Sequence, residues 1–209
     1  MPDHPPRWLT WAREIQALGQ TGLYYAHDGF ESQRAERLLE IAAEIVGAHA
    51  ELPASEVRLA FSAQPGYVTP KVDVRGAVFR GEEILMVQEA IDGGWTLPGG
   101  WADVGESPRS AVEREVREES GLRARATRLV GIYDANRVEE SMSLFHAYKL
   151  VFLCEPVSGD LTPSSETSQV GFFPLEQIPQ PYSGHRTAWR HIEDSLACLR
   201  DPARPAVFD

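Results

Sequence analysis

Near residue 64 the periodicity of the chain changes, and that change confines it to a helical segment followed by a mixed one. Before it, Trp8, Trp11, Ile15 and Leu18 recur at helical spacing, and so do Ala35, Leu38, Ala42 and Ile45. Between the two runs lies GQTGLYYAHDGF, a Gly-rich break in which Asp28 and Glu31 read as a capping box for the second helix. Ser55 caps a shorter third helix whose apolar contacts are Val57, Leu59 and Phe61. Residues 64–70, QPGYVTP, carry two prolines and a glycine and mark a boundary between a helical domain over 1–64 and a second domain over 65–209.

Past that boundary the texture is mixed. KVDVRGAVFR and ILMVQEA read as strands separated by a turn at Gly81, Glu82 and Glu83. A Gly-rich loop, GGWTLPGGWADVGES, leads into a charged helix from Ser107 to Ser120. ATRLVGIYDA, SLFHAYKLVFLCEP and QVGFFP have strand texture again, and a last helix over 185–199 carries Ala188, Ile192, Leu196 and Leu199 on one stripe. Strands interleaved with two helices predict an α/β domain, a mixed β-sheet covered on both faces.

Composition closes off other classes. No apolar run approaches the roughly 18 residues a membrane-spanning helix needs. MPDHPPRWLTWARE lacks the basic-then-apolar order of a secretory signal, so none is expected. The two cysteines, Cys154 and Cys198, are too few for a disulfide framework or a zinc site and fit a reduced cytoplasm, where the protein is expected. A formal net charge of −11 repels a phosphate backbone, which argues against nucleic acid as a partner. An anionic ligand must then be held by local cations or by a metal.

The helix over 107–120 is well punctuated. Ser107 suits the N-cap, Pro108 the first helical position and Gly121 the left-handed residue after the last turn. At roughly 100° per residue, Glu115, Glu118 and Glu119 share an arc with Ala111, Val112 and Val116. Three carboxylates on one partly buried face must protonate, pair with arginine or bind a cation, since like charges one turn apart repel and burial sharpens the repulsion. Arg114 neutralises only part of the cluster. Hard oxygen ligands grouped this way suit Mg²⁺ or Mn²⁺.

Gly100, Glu106, Arg114, Glu115, Val116, Glu118, Glu119, Gly121 and Leu122 fill every specified position of a known motif, and the segment resembles the Nudix box. The order around it, two strands, a W-x-L-P-G-G entry, box, strands and terminal helix, is similar to the Nudix α/β/α sandwich. WLTWAREIQALGQTGLYY and TPKVDVRG resemble the small all-helical domain that precedes the Nudix domain in a bacterial subgroup related to CDP-choline and ADP-ribose pyrophosphatases.

The resemblance implies a hydrolase that cleaves a nucleoside diphosphate linked to another group, by attack of water on phosphorus with Mg²⁺ or Mn²⁺ bound. It implies Glu115 and Glu119 as metal ligands, Glu118 close behind, and a backbone oxygen from Gly99 or Gly100. Glu106 and Arg114 are expected to form a structural ion pair. The general base is Glu166, before the short strand QVGFFP, or a box acid, Glu118 or Glu115. Arg75 either contacts phosphate from the first strand or is a solvated arginine. Trp95 and Trp101, flanking the Pro98-Gly99-Gly100 turn, either stack on a base or line the pocket, with core packing the alternative for each.

Among substrates the resemblance favours CDP-choline-like compounds, then ADP-ribose, with a nucleoside triphosphate pyrophosphatase as an alternative. A nucleotide-sensing regulator is the competing class. It would place a DNA reader in residues 1–64, where nine acids face five arginines. The apolar stripes of those helices call for a partner surface, so the helical domain is read as a packing or dimerisation module and the protein as a homodimer.

Overall fold

The computed structural model describes residues 6–50, 52–63, 66–137 and 144–209. The chain forms two compact units, Met1–Pro70 with Met142–His146, and Lys71–Ser141 with Ala147–Asp209.

Three helices make the first unit: α1 over Arg7–Tyr25, α2 over Gly29–Ala50 and α3 over Ala54–Ser62. The Gly-rich break is shorter than expected, because α1 continues through Gly19 and Gly22. A side chain at Gly19 would lie 2.9 Å from Leu39 Cγ and 3.0 Å from the Ala35 carbonyl oxygen, so glycine here lets α1 approach α2 closely. That seam also rotates the buried stripe. Leu9, Ala12, Gln16 and Gly19 face inward, while Trp11 and Leu18 remain more than half exposed.

Asp28 Oδ1 accepts the Glu31 N–H at 2.7 Å, and Glu31 Oε2 returns to the His27 N–H at 2.8 Å. This is close to the expected capping box, with the return bond one residue early. α3 starts after Pro53 rather than at Ser55; Val57 and Phe61 are buried and Leu59 is 72% exposed. Leu144 and Phe145 pack on the apolar core of this unit.

In the second unit the strands are β1 (Lys71–Arg80), β2 (Glu83–Glu89), β3 (Trp95–Thr96), β4 (Arg123–Asp134), β5 (Ala147–Ser158), β6 (Thr167–Phe173) and β7 (Val207–Phe208). Two helices join them, α4 over Pro108–Ser120 and α5 over Trp189–Arg200. The strand order is β3-β2-β1-β5-β4-β7, with β6 also paired to β2. β1 runs parallel to β5 from Lys71 opposite Ala147 to Val78 opposite Cys154, and the β1–β2, β2–β6 and β4–β5 pairs are antiparallel.

Alternation along β1 separates two apolar layers. Val74 and Val78 pack with Ala111, Val112 and Val116 of α4, a layer that also holds Cys154. Ala77 and Phe79 face the opposite layer with Ile192 and Cys198 of α5. The result is the expected α/β/α sandwich around a mixed sheet. At Gly76 an added Cβ would sit 2.5 Å from Val116 Cγ2, so the bare backbone sets how closely α4 approaches the sheet.

Two boundaries move. β5 begins at Ala147, four residues after the start of the strand-like run, and α5 begins at Trp189 rather than 185. Its buried face is His191, Ile192, Ser195 and Cys198, with Leu196 and Leu199 only partly buried beside it. His191 Nδ1 accepts the Ala188 N–H at 3.1 Å, which caps the helix there. No helix among the described residues is long and apolar enough to cross a membrane.

Candidate active site

Helix α4 starts and stops where its sequence dictates. The Ser107 side chain accepts the Ser110 N–H at 3.1 Å, Pro108 occupies the first turn, and Gly121 closes the helix at φ 77°. Ala111, Val112 and Val116 are wholly buried on the sheet, which draws the neighbouring acids of the same arc towards it. Glu115 is 8% exposed and Glu119 5%, whereas the Glu118 side chain remains 49% exposed. The three carboxylates therefore separate into two buried groups and one at the surface.

The buried pair faces the loop that leaves β3. Gly99 N–H donates to Glu119 Oε2 at 2.9 Å. Gly99 sits at φ 148°, and a Cβ there would lie 2.0 Å from the Val74 carbonyl oxygen, so only glycine fits. The loop runs along β1 like a further strand: Gly76 N–H donates to Pro98 O at 2.9 Å and Val74 N–H to Gly100 O at 2.8 Å. One lone pair of the Gly100 carbonyl is thereby committed to β1. A Cβ on Gly100 would come 3.0 Å from Glu115 Oε1, so glycine also keeps the mouth above Glu115 open.

Arg114 ties loop to helix. Its Nε and Nη2 reach both oxygens of Glu106 at 2.9 Å, Nη1 donates to Glu115 at 2.9 Å and Glu118 at 3.1 Å, and Nη2 reaches the Trp101 carbonyl at 3.3 Å. The bidentate bond holds the Glu106 carboxyl below the usual range. With so many partners the guanidinium leaves the deeper acids short of positive charge. Burial pushes Glu115 up, with Arg114 opposing, and pushes Glu119 up to about 8 against the pull of Arg75 and the Gly99 N–H.

These residues surround a cavity of about 350 Å³. Of the expected site residues, Gly100, Trp101, Arg114, Glu115, Glu119 and Glu166 line it. Glu118 lies off it, held by Arg114 and by Arg117 at 3.4 Å. Glu166 comes from the loop before β6, where its carbonyl accepts the Ala90 N–H at 2.8 Å and its N–H donates to Ser164 Oγ at 3.1 Å.

Arg75 is neither a cavity-lining phosphate contact nor a solvated arginine. It is buried behind the site, giving Nε and Nη2 to Asp73 at 2.8 and 2.9 Å and Nη1 to the Leu97 carbonyl at 3.1 Å, with Lys149 joining Asp73 at 3.3 Å. Its place at alternate positions with Asp73 on one strand face accounts for the pairing. Trp95 is buried in the core, edge-on to Phe173 at 5.1 Å, and takes no part in the cavity.

Trp101 is half exposed at the rim, with Lys71 Nζ 5.6 Å from its ring centre. Sequence reasoning missed Glu89, the last residue of β2, which also lines the cavity, and Arg186, 3.4 Å from it. Their only sequence signal was an acid at a strand end and an arginine ahead of a helix, and neither is distinctive.

The donor set suits a hard divalent cation. Two desolvated carboxylates with raised proton affinity face one cavity, and a cation would supply positive charge that burial otherwise leaves short. Among the described residues no three His, Cys, Asp or Glu side chains converge on a single point. Mg²⁺ needs no such cage, because it binds through one or two carboxylates and completes its shell with water and substrate phosphate.

An α/β/α sandwich with this loop–helix acid site defines a metal-assisted pyrophosphatase class. Residues 69–194 match the NUDIX domain model, and residues 6–61 match a model described as a UDP-X-like, N-terminal oligomerisation domain. The chain belongs to the Nudix hydrolase family, with an additional N-terminal domain, and is an enzyme of that family.

It is 34% identical, over 97% of each chain, to YjhB of Bacillus subtilis, whose name carries ADP-ribose pyrophosphatase as a provisional activity. A Streptococcus suis ADP-ribose pyrophosphatase crystal structure superposes with a TM-score of 0.62 at 38% identity, covering 68% of this chain and 100% of that one. A crystal structure of a UDP-X diphosphatase gives the same TM-score at 28% identity, over 97% of this chain and 98% of that one.

Proposed function

We propose that the protein hydrolyses the pyrophosphate bond of a nucleoside diphosphate joined to a second group, with ADP-ribose the first substrate to test. The observation that carries this reading is the cavity lined together by Glu115 and Glu119 from α4, Glu89 from β2 and Glu166 from the β6 loop. Such a surface repels a pyrophosphate unless a cation intervenes. Bound Mg²⁺ or Mn²⁺ would neutralise phosphate oxygens and lower the pKa of water.

In this reading Glu115 and Glu119 hold the cation, and the Glu106–Arg114 pair keeps the loop closed on the helix. Glu166 is the general base. Trp101 at the rim offers a face for the nucleobase. Names of relatives move ADP-ribose ahead of CDP-choline, and both share the chemistry of a nucleoside diphosphate linked to a second group.

The helical unit makes a homodimer. Support comes from its match to an oligomerisation domain and from Trp11, Leu18 and Tyr25, spaced seven apart on α1 and each more than half exposed. The deciding experiment is product analysis with Mg²⁺ or Mn²⁺. Release of AMP and ribose 5-phosphate from ADP-ribose, lost in Glu115→Gln and Glu119→Gln with the fold retained, supports the assignment. CMP from CDP-choline with ADP-ribose untouched reverses the substrate order, and turnover retained in both variants refutes the site.

A further inference from the structure

Glu89 and Arg186 stand outside the motif that defines the family, and neither has a role so far. Arg186 lies in the loop that leads into α5. That loop is rooted in the sheet: Ser183 N–H donates to the Trp95 carbonyl at 2.9 Å, and Thr187 Oγ1 accepts the Leu97 N–H at 3.2 Å. From this base the guanidinium reaches in two directions. Nε stands 3.4 Å from Glu89 Oε1, while Nη1 donates to Asp92 Oδ2 at 2.7 Å and to Ser183 Oγ at 3.0 Å. A planar group fixed at both edges has little freedom to rotate, so it acts on Glu89 as a clamp.

Three of the acids that line the cavity have a neutralising contact of their own. Glu115 has Arg114, and Glu119 has the Gly99 N–H with Arg75 behind it. Glu89 has Arg186. Arg114, the one cationic side chain among the described lining residues, is already committed to Glu106, Glu115 and Glu118. Were Arg186 absent, the Glu89 carboxylate, with its side chain 16% exposed, would turn towards bulk water rather than face Glu119 uncompensated.

We propose that Arg186 is a positioning residue of the hydrolytic centre and that it acts through Glu89. It holds one carboxylate oxygen so that the other accepts a hydrogen bond from a water bound to the divalent cation on Glu115 and Glu119. A contact through water is the arrangement consistent with two direct carboxylate ligands, since among the described residues no three acids converge on one point. Arg186 itself does not line the cavity and is held by Asp92 and Ser183, so its effect on substrate is indirect. The inference rests on the pyrophosphatase reading only for the use made of the cation, not for the clamp.

The test is calorimetric titration of Mn²⁺ alone into wild type, Arg186→Ala, Arg186→Lys, Glu89→Gln and the double variant Glu89→Gln/Arg186→Ala, each checked by thermal melt. Arg186→Ala and Glu89→Gln should each weaken Mn²⁺ binding about tenfold, the usual cost of losing an outer-shell partner. Arg186→Lys should recover part of that loss, and the double variant should bind no more weakly than Glu89→Gln. With ADP-ribose, kcat should fall in Arg186→Ala while KM stays within about twofold.

Mn²⁺ affinity within about twofold of wild type in Arg186→Ala overturns the inference, and so do losses that multiply in the double variant. A raised KM with Mn²⁺ affinity intact makes Arg186 a substrate contact and also overturns it. Arg186→Lys and Glu89→Gln decide the matter if the alanine variant fails to fold. A wild type that binds Mn²⁺ yet hydrolyses no nucleotide defeats the pyrophosphatase reading, and the Mn²⁺ titrations still decide the clamp. A wild type that binds no Mn²⁺ overturns the clamp's role whatever its activity.

Discussion

Replacing Glu119 by glutamine should stabilise the metal-free protein at pH 8 while destroying its activity. Burial raises the Glu119 carboxyl from an ordinary 4.5 to about 8. Below pH 4.5 the folded and unfolded chains both carry the proton, and the group is neutral in its effect. Between 4.5 and 8 the unfolded chain releases the proton and the folded chain keeps it, so stability falls as pH rises through that window and levels above it.

At about 1.36 kcal/mol per pH unit, the full interval sets an upper bound near 5 kcal/mol. Local relaxation and the shared field of Glu115 bring the expected loss nearer 2–3 kcal/mol, or about 4–12 °C in melting temperature for a chain of this size. Glutamine keeps an oxygen for the Gly99 N–H and is neutral at every pH. In EDTA, Glu119→Gln should therefore melt above wild type at pH 8, converge with it near pH 5, and fall below it once Mg²⁺ or Mn²⁺ is added. A variant that melts at or below wild type at pH 8 in EDTA would show that the buried carboxylate is compensated within the protein, and the argument for a cation from unmet charge would fail.

Other outcomes follow from the same geometry. Gly99→Ala puts a Cβ 2.0 Å from a backbone oxygen and should cost about 2–4 kcal/mol in urea unfolding, with the Gly99–Glu119 bond disturbed and turnover lost. Glu166→Gln should lower kcat by about 10²–10³ and leave melting unchanged, whereas Glu118→Gln should stay within tenfold of wild type; the reverse order moves the base to Glu118. Light scattering should give a dimer mass for the full chain, and Trp11→Glu with Leu18→Glu should shift it towards monomer; an unchanged dimer clears α1 of the interface.

What could be read in advance was whatever is determined locally. Ser107, Pro108 and Gly121 punctuate α4 by their own backbone chemistry, and the acid arc follows from the helical repeat, so both were visible without a structure. What depends on which surface meets which was not visible. The α1 stripe centred on the tryptophans was turned by Gly19 and Ala12, whose small size allows close helix approach that hydrophobicity alone does not register.

For Trp95 the sequence left pocket and core both open, and for Arg75 phosphate contact and solvation; packing sends Trp95 into the core and strand alternation pairs Arg75 with Asp73. The α5 stripe is rotated rather than lost: Ile192 stays inward with Leu196 and Leu199 beside it, and polar His191 and Ser195 share the buried face, with Ser195 Oγ donating to the His191 carbonyl at 2.6 Å. Glu89 and Arg186 come from opposite ends of the domain sequence, and only the folded sheet makes them neighbours.

The two cysteines divide between the apolar layers, Cys154 beneath α4 and Cys198 on α5. Burial holds both thiols in the protonated form, Cys154 pushed up to about 12. Each is consequently inert to alkylating reagents until its own layer opens. The chain thus carries two built-in chemical clocks, and the ratio of their labelling rates reveals whether the sandwich comes apart one side at a time or all at once.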